Sequence, residues 1–185
     1  MSLVVPVNRL LLEQGIIFLT GEIEEEISKD IVEEIIYLNR VSFSEIDKIA
    51  LIINSSGGYF YDTISVIDII KWSNIPVYTT GLGLISSGGL SIFMAGERGH
   101  RTITKNTSIL SHRFSDSENG NYSDLVAGRK QEDIIHSRMV DFYIQHSNLK
   151  TREEVEEKLL KDVDVWLTPK EAIDLGIADK IDEEI

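Results

Sequence analysis

The chain contains no cysteine. Disulfides, thiolate metal sites and cysteine nucleophiles are therefore excluded, and the composition fits a reducing compartment. Long hydrophobic runs are also missing. The apolar opening residues 1–7 meet Asn8 and Arg9 before a signal-peptide core could form, and no later run is long enough for a membrane-spanning helix. Positive charge is scarce, with 18 Lys and Arg against 31 Asp and Glu and a net charge of −13. Such a chain repels polyanions, so nucleic acid and anionic membranes are not expected partners. There is no Gly-x-x-x-x-Gly-Lys-Ser/Thr loop, hence no ATP site of that type. Linkers, repeats and low-complexity segments are absent too, which leaves 185 residues as one domain able to bury a core.

What is present reads as α/β. Residues 15–20 and 48–54 are continuous apolar runs, and 75–78 is a third. Between them Ile27, Ile31 and Ile35, with Val32 and Ile36, recur at helical spacing, and residues 61–72 form a second helix. This βαβαβ order, with strands apolar on both faces, predicts a parallel sheet covered by helices. The second half predicts a strand at 108–111, a polar loop at 114–121 and a long helix at 123–146. A charged helix at 151–160, a strand at 165–167 and a helix at 169–175 follow. The apolar residues Leu125, Ile134, Ile135, Met139, Phe142 and Tyr143 mark the long helix either as an arm for subunit contacts or as a helix packed on its own domain.

The chemistry gathers in Gly83-Leu84-Ile85-Ser86-Ser87-Gly88-Gly89, where an apolar strand gives way to an apolar helix. A serine at such a junction has an open hydroxyl beside unpaired backbone N–H groups, as a nucleophile that must stabilise an oxyanion requires. His112 and Asp164 follow, so one chain supplies a full acyl-transfer triad. The segment is not a Gly-x-Ser-x-Gly elbow, since Ile85 stands two residues before Ser87. It is not a dinucleotide fingerprint either, because the third glycine and the following acidic residue are missing. A histidine with an ordinary pKa of about 6.5 can accept a serine proton and return it to a leaving amine. Asp162 competes with Asp164 as the orienting carboxylate, being two residues away and on the same face if that segment is extended.

From Arg9 onward the chain resembles the ClpP peptidases, the proteolytic subunits of the caseinolytic protease. Residues 9–23 resemble the family's opening strand, and Asn54-Ser55-Ser56-Gly57-Gly58 its Asn-Ser-Pro-Gly-Gly turn. Residues 86–96 resemble its serine segment, 106–112 its histidine strand, and Asp164-Val165-Trp166-Leu167 with residues 171–179 its closing block. The resemblance implies a ClpP/crotonase-like fold of repeated β-α-β units, with a protruding helix–strand handle at about 113–148. It implies Ser87 as nucleophile, His112 as base, Asp164 as orienting carboxylate, and the backbone N–H groups of Gly58 and Gly88 as the oxyanion hole; Ser86 is read as a packing residue. It implies no metal or cofactor, with ATP used only by a partner. Implied partners are further copies of the chain in a heptamer or tetradecamer, a hexameric Clp-type AAA+ unfoldase, and peptides or unfolded proteins as substrates. The location would be the cytoplasm, a plastid stroma or a phage-infected host cytoplasm. A noncatalytic or partner-activated ring subunit is the alternative, and an acyl-CoA enzyme of the crotonase type a weaker one.

Several positions depart from the family pattern. Ser56 stands in place of proline, Gly88 often in place of methionine, and Val163 in place of an arginine tied to ring contacts. The loop with Ser115, Asp116, Ser117 and Glu118 is more acidic than the family's, which favours one ring over two. Only eight residues precede Arg9, so altered gating and docking are expected. His100, His136 and His146 are read as structural; Trp72 and Ile52 are read as core, with a family-like hydrophobic docking groove as the alternative.

Overall fold

A computed structural model describes residues 7–40, 46–115 and 119–183. The elements in chain order are α1 (Val7–Leu12), β1 (Ile16–Ile23), α2 (Glu25–Arg40), β2 (Ile49–Gly58), α3 (Phe60–Trp72), β3 (Val77–Ser86) and α4 (Gly88–Met94). Then come β4 (Arg101–Thr104), β5 (Ser108–Ser111), α5 (Tyr122–His146), α6 (Arg152–Lys158), β6 (Val165–Leu167), α7 (Pro169–Asp174) and β7 (Lys180–Asp182). The sheet runs β1-β2-β3-β4-β7, all parallel. Strand β3 forks: residues 79–81 pair with β4, and Leu84, Ile85 and Ser86 pair with β5. The short β6 runs antiparallel to β5.

The expected α/β class holds, and so do the first three strands with their intervening helices. One face of the sheet is closed: Ile49, Leu51 and Ile53 of β2 are fully buried among Ile31 and Ile35 of α2, Val66 and Ile67 of α3, and Leu90 and Phe93 of α4. Removing so much branched aliphatic surface from water stabilises the domain at about 1.5–3 kcal/mol per side chain. The opposite face is only partly covered. There Phe18, 47% exposed, pairs in register with the half-buried Ile52, and Ile52 with Thr80. The expectation of helices over both faces is corrected accordingly, and so is the reading of Ile52 as core. Trp72, also read as core, is 47% exposed because it ends α3 beyond the last turn packed inward.

Other differences are local. The opening residues 9–12 are helical rather than extended, and the first strand starts at Ile16. Strand β2 does not stop at Asn54 but runs through the Ser-Ser-Gly-Gly segment to Gly58. Its pairing shifts after Ile53, while Gly21 puts a matching irregularity into β1. The Ser55 hydroxyl fixes this bulge by donating to the Gly21 carbonyl (2.6 Å) and accepting the Gly57 N–H (3.1 Å). Strand β3 likewise continues to Ser86. Helix α5 covers the expected 123–146 with one more residue at its start, held by a capping box of Asn121 and Asp124; similar boxes start α6 and α7. Ile135 and Tyr143 of α5 are buried, but Leu125, Val126 and Ile134 are exposed. Asp116, Ser117 and Glu118 of the acidic loop lie outside the described residues. No helix among the described residues is long and apolar enough to cross a membrane.

Candidate active site

Ser87 is the single residue between β3 and α4, and its backbone is unusual. Its φ of 53° and ψ of −119° make it the one non-glycine with positive φ among the described residues. Two hydrogen bonds hold it there: its N–H donates to the Leu110 carbonyl of β5 (3.0 Å), and its carbonyl accepts the Ser91 N–H of α4 (3.1 Å). Gly57, across the turn, leaves room for the Ser87 side chain; a Cβ at Gly57 would stand 2.7 Å from the Ser87 Cβ. A backbone of this kind costs about 1–3 kcal/mol and survives where its surroundings enforce it. Ser87→Gly is therefore expected to be more stable than Ser87→Ala by about 1 kcal/mol, after allowance for the freer unfolded chain. Urea denaturation of the two variants measures this, and a glycine variant no more stable than the alanine one would show that Ser87 is unstrained.

The turn opens into a cleft of about 120 Å³ lined by Ser87, Gly58, Gly88 and His112. Phe60, Ile64 and Ile67 of α3 and Met139 and Phe142 of α5 supply apolar wall, and Phe114 meets Phe60 edge-on at 5.7 Å between centroids. Buried Tyr143, which also lines the cleft, shares a hydrogen bond with the Ser111 hydroxyl (2.9 Å). Burial pushes the Tyr143 phenol above its ordinary pKa, against the pull of the Ser111 and Ser91 hydroxyls, so it stays neutral. Arg113 and Arg138 bring charge to the rim.

His112 is half-buried directly after β5. The antiparallel pairing of β5 with β6 ends at Ser111↔Val165; His112 follows the last residue of β5 and Asp164 precedes the first of β6, just beyond that pairing. Asp164 is exposed. The backbone bends at Asp162 and Val163, so Asp162 does not share a strand face with Asp164; its carboxylate pairs with Arg113 at 2.5 Å. Topology thus gathers Ser87 and His112 in one cleft and brings Asp164 alongside. Among the described residues, no hydrogen bond joins Ser87 to His112 or His112 to Asp164.

A model of the Clp protease family matches residues 3–184. The chain belongs to the Clp protease family. Over 173 residues it is 31% identical to the ATP-dependent Clp protease proteolytic subunit of Deinococcus radiodurans, an alignment that covers 92% of this chain and 81% of that protein. The mixed α/β architecture around a mostly parallel sheet is the ClpP fold.

Two glycines of this Clp protease chain carry the cleft's backbone. Gly58 pairs with Ile23 so closely that a Cβ would collide with the Ile23 carbonyl oxygen. Gly88 opens α4, so its N–H has no acceptor within that helix. A side chain at 88 would run into the Thr63 hydroxyl, which donates instead to the Tyr59 carbonyl (3.0 Å). Thr63 therefore fills space that a larger residue at position 88 would need. Ser56 is exposed within β2. The remaining histidines have structural partners: His100 stacks on Tyr78, His136 meets Glu156 at 2.9 Å, and His146 bonds the Phe142 carbonyl at 2.8 Å. The sequence reading gave no role to Arg113, whose partners lie 47 and 49 positions away.

Proposed function

We propose that the chain is a serine endopeptidase that hydrolyses peptides and unfolded proteins within a ring of its own copies. Ser87 Oγ attacks the scissile carbonyl as His112 accepts its proton. The N–H groups of Gly58 and Gly88 hold the tetrahedral oxyanion, and Asp164 orients the imidazole and stabilises its protonated form. His112 then protonates the leaving amine, and water, deprotonated in turn by His112, releases the acyl group from Ser87. The single observation that carries this reading is the strained Ser87 turn, which lines one apolar cleft together with His112. That apolar wall favours a large apolar side chain next to the cut bond. No metal or cofactor takes part in this scheme. ATP, in the name of the Deinococcus radiodurans relative, is assigned here to a partner unfoldase.

We place the whole chain in one peptidase domain, with a handle built on α5, and in the cytoplasm. Exposed apolar residues, Tyr122 (82%), Val126 (53%) and Trp166 (60%) among them, support burial against further copies in a heptamer or double heptamer. Ile52 and Trp72 are available to an unfoldase. The missing hydrogen bonds between Ser87, His112 and Asp164 favour one second reading, a subunit activated only on assembly with a partner. Treatment of the purified protein with a small fluorophosphonate, followed by intact-mass measurement, tests both. One adduct, absent from Ser87→Ala, is expected. No adduct on a folded, ring-sized wild type would overturn intrinsic activity and leave the partner-activated reading.

A further inference from the structure

Resting on the peptidase reading, we infer that Arg113 is a positioning residue for Asp164. It follows His112 directly, and its guanidinium reaches across to the segment joining α6 to β6. Nε–H donates to the Leu160 carbonyl at 2.6 Å, and Nη1–H to the Asp162 carboxylate at 2.5 Å. The segment is thereby fastened at two points just before Asp164, from the residue next to His112. Strand β6 is only three residues long, and its pairing with β5 ends at Ser111↔Val165, so the sheet itself does not hold Asp164. Arg113 also engages the competing carboxylate, Asp162, which the chain places two residues from Asp164.

The two contacts differ in strength. The ion pair is solvent-exposed, with side-chain exposures of 45% and 87%, so water and salt screen it. The carbonyl contact is part-buried and does not involve the carboxylate. A planar guanidinium serves both acceptors from separate N–H groups, whereas a lysine ammonium is a point donor. Misplacement of a reacting group by about 1 Å costs roughly 100-fold in rate. Loss of the clamp should therefore act on turnover far more than on stability or substrate binding.

The test compares wild type, Arg113→Met, Arg113→Lys and Asp162→Asn. Each is assayed for fluorophosphonate inactivation rate, for kcat and KM on a fluorogenic peptide with a large apolar residue before the cut, and for Tm. Arg113→Met is expected to lose tenfold or more in inactivation rate and kcat, with KM changed less than threefold and Tm nearly unmoved. Arg113→Lys should recover part of kcat, and Asp162→Asn should stay within threefold of wild type. Wild-type rates in Arg113→Met would overturn the inference. Should Arg113→Met fail to fold, Arg113→Lys decides: reduced kcat at unchanged KM supports the clamp, and wild-type kcat overturns it. A wild type that does not react with fluorophosphonate would instead remove the peptidase reading on which the inference stands.

Discussion

Ser87→Ala is expected to abolish peptide hydrolysis, lowering kcat by about 10⁶-fold, the usual scale for loss of a serine nucleophile. The alanine keeps the backbone bonds to Leu110 and Ser91, so the cleft should persist and the loss should appear in kcat rather than in folding. In the proposed mechanism Ser87 and His112 share one proton transfer. His112→Ala should therefore cost nearly as much, and the double variant no more than either single one. Asp164→Ala would remove only the proposed orienting carboxylate, so its loss should be smaller, about 10⁴-fold. Asp162→Ala, whose carboxylate points to Arg113, should lose far less than Asp164→Ala. Steady-state kinetics on a fluorogenic peptide give all five values. Appreciable turnover by Ser87→Ala would remove Ser87 as the nucleophile, and equal losses at Asp162 and Asp164 would undo the assignment of the orienting carboxylate.

Legibility in the sequence followed how locally each element is determined. Strands β5 and β6 and helices α2 and α3 were readable because a hydrophobic run or stripe marks each one. Strand β4 was not: Arg-Thr-Ile-Thr has one aliphatic residue, and it is a strand because β3 and β7 flank it and Asp179 neutralises its arginine. Strand β7, Lys-Ile-Asp, was missed for the same reason. The glycine-rich ends of β2 and β3 looked like turns, yet both are extended because neighbouring strands pair with them; glycine permits the bulge without ending the strand. The placement of Ser87 at a strand–helix junction was legible because an apolar run gives way there to small residues and glycines, and the structure puts it in one cleft with His112. The contacts of Arg113 were not, since nothing near it in sequence identifies acceptors 47 and 49 positions on. The half-open sheet face was hidden because its residues, Phe18 and Ile52, are as apolar as those of the covered face.

Asp179→Ala is expected to destabilise the chain by about 3–5 kcal/mol, the cost of leaving a buried cation without its partner. Arg101 is 1% exposed, and its Nη2 and Nε meet the two Asp179 oxygens at 2.6 and 2.8 Å. It also donates to the His146 carbonyl at the end of α5 (2.7 Å) and to the Gly176 carbonyl after α7 (2.9 Å). One guanidinium thus joins β4 to the end of α5, to the turn after α7 and to the entry of β7. The same carboxylate accepts the Gly99 N–H (2.8 Å) and the Arg101 N–H (3.0 Å). A loss of that size is a large part of the 5–15 kcal/mol typical of a folded domain. Replacing both partners, with Arg101→Met and Asp179→Leu together, should cost less than Asp179→Ala alone, because no buried charge is left unpaired. The pH dependence has a definite sign. Burial alone would raise the Asp179 pKa, but the Arg101 and Gly99 hydrogen bonds and the Arg101 charge outweigh it and hold the group below its ordinary value. The unfolded chain therefore binds the proton more readily. This contribution is in full force above the unfolded carboxylate pKa of about 3.9 and disappears as pH falls through the lower folded value. Urea denaturation at a series of pH values from neutral to below 4 should show wild type losing this increment in acid, while Asp179→Ala, lower at neutral pH, falls less steeply. Equal midpoints for the two proteins at neutral pH would mean that water or a rearranged loop satisfies Arg101 as well as Asp179 does.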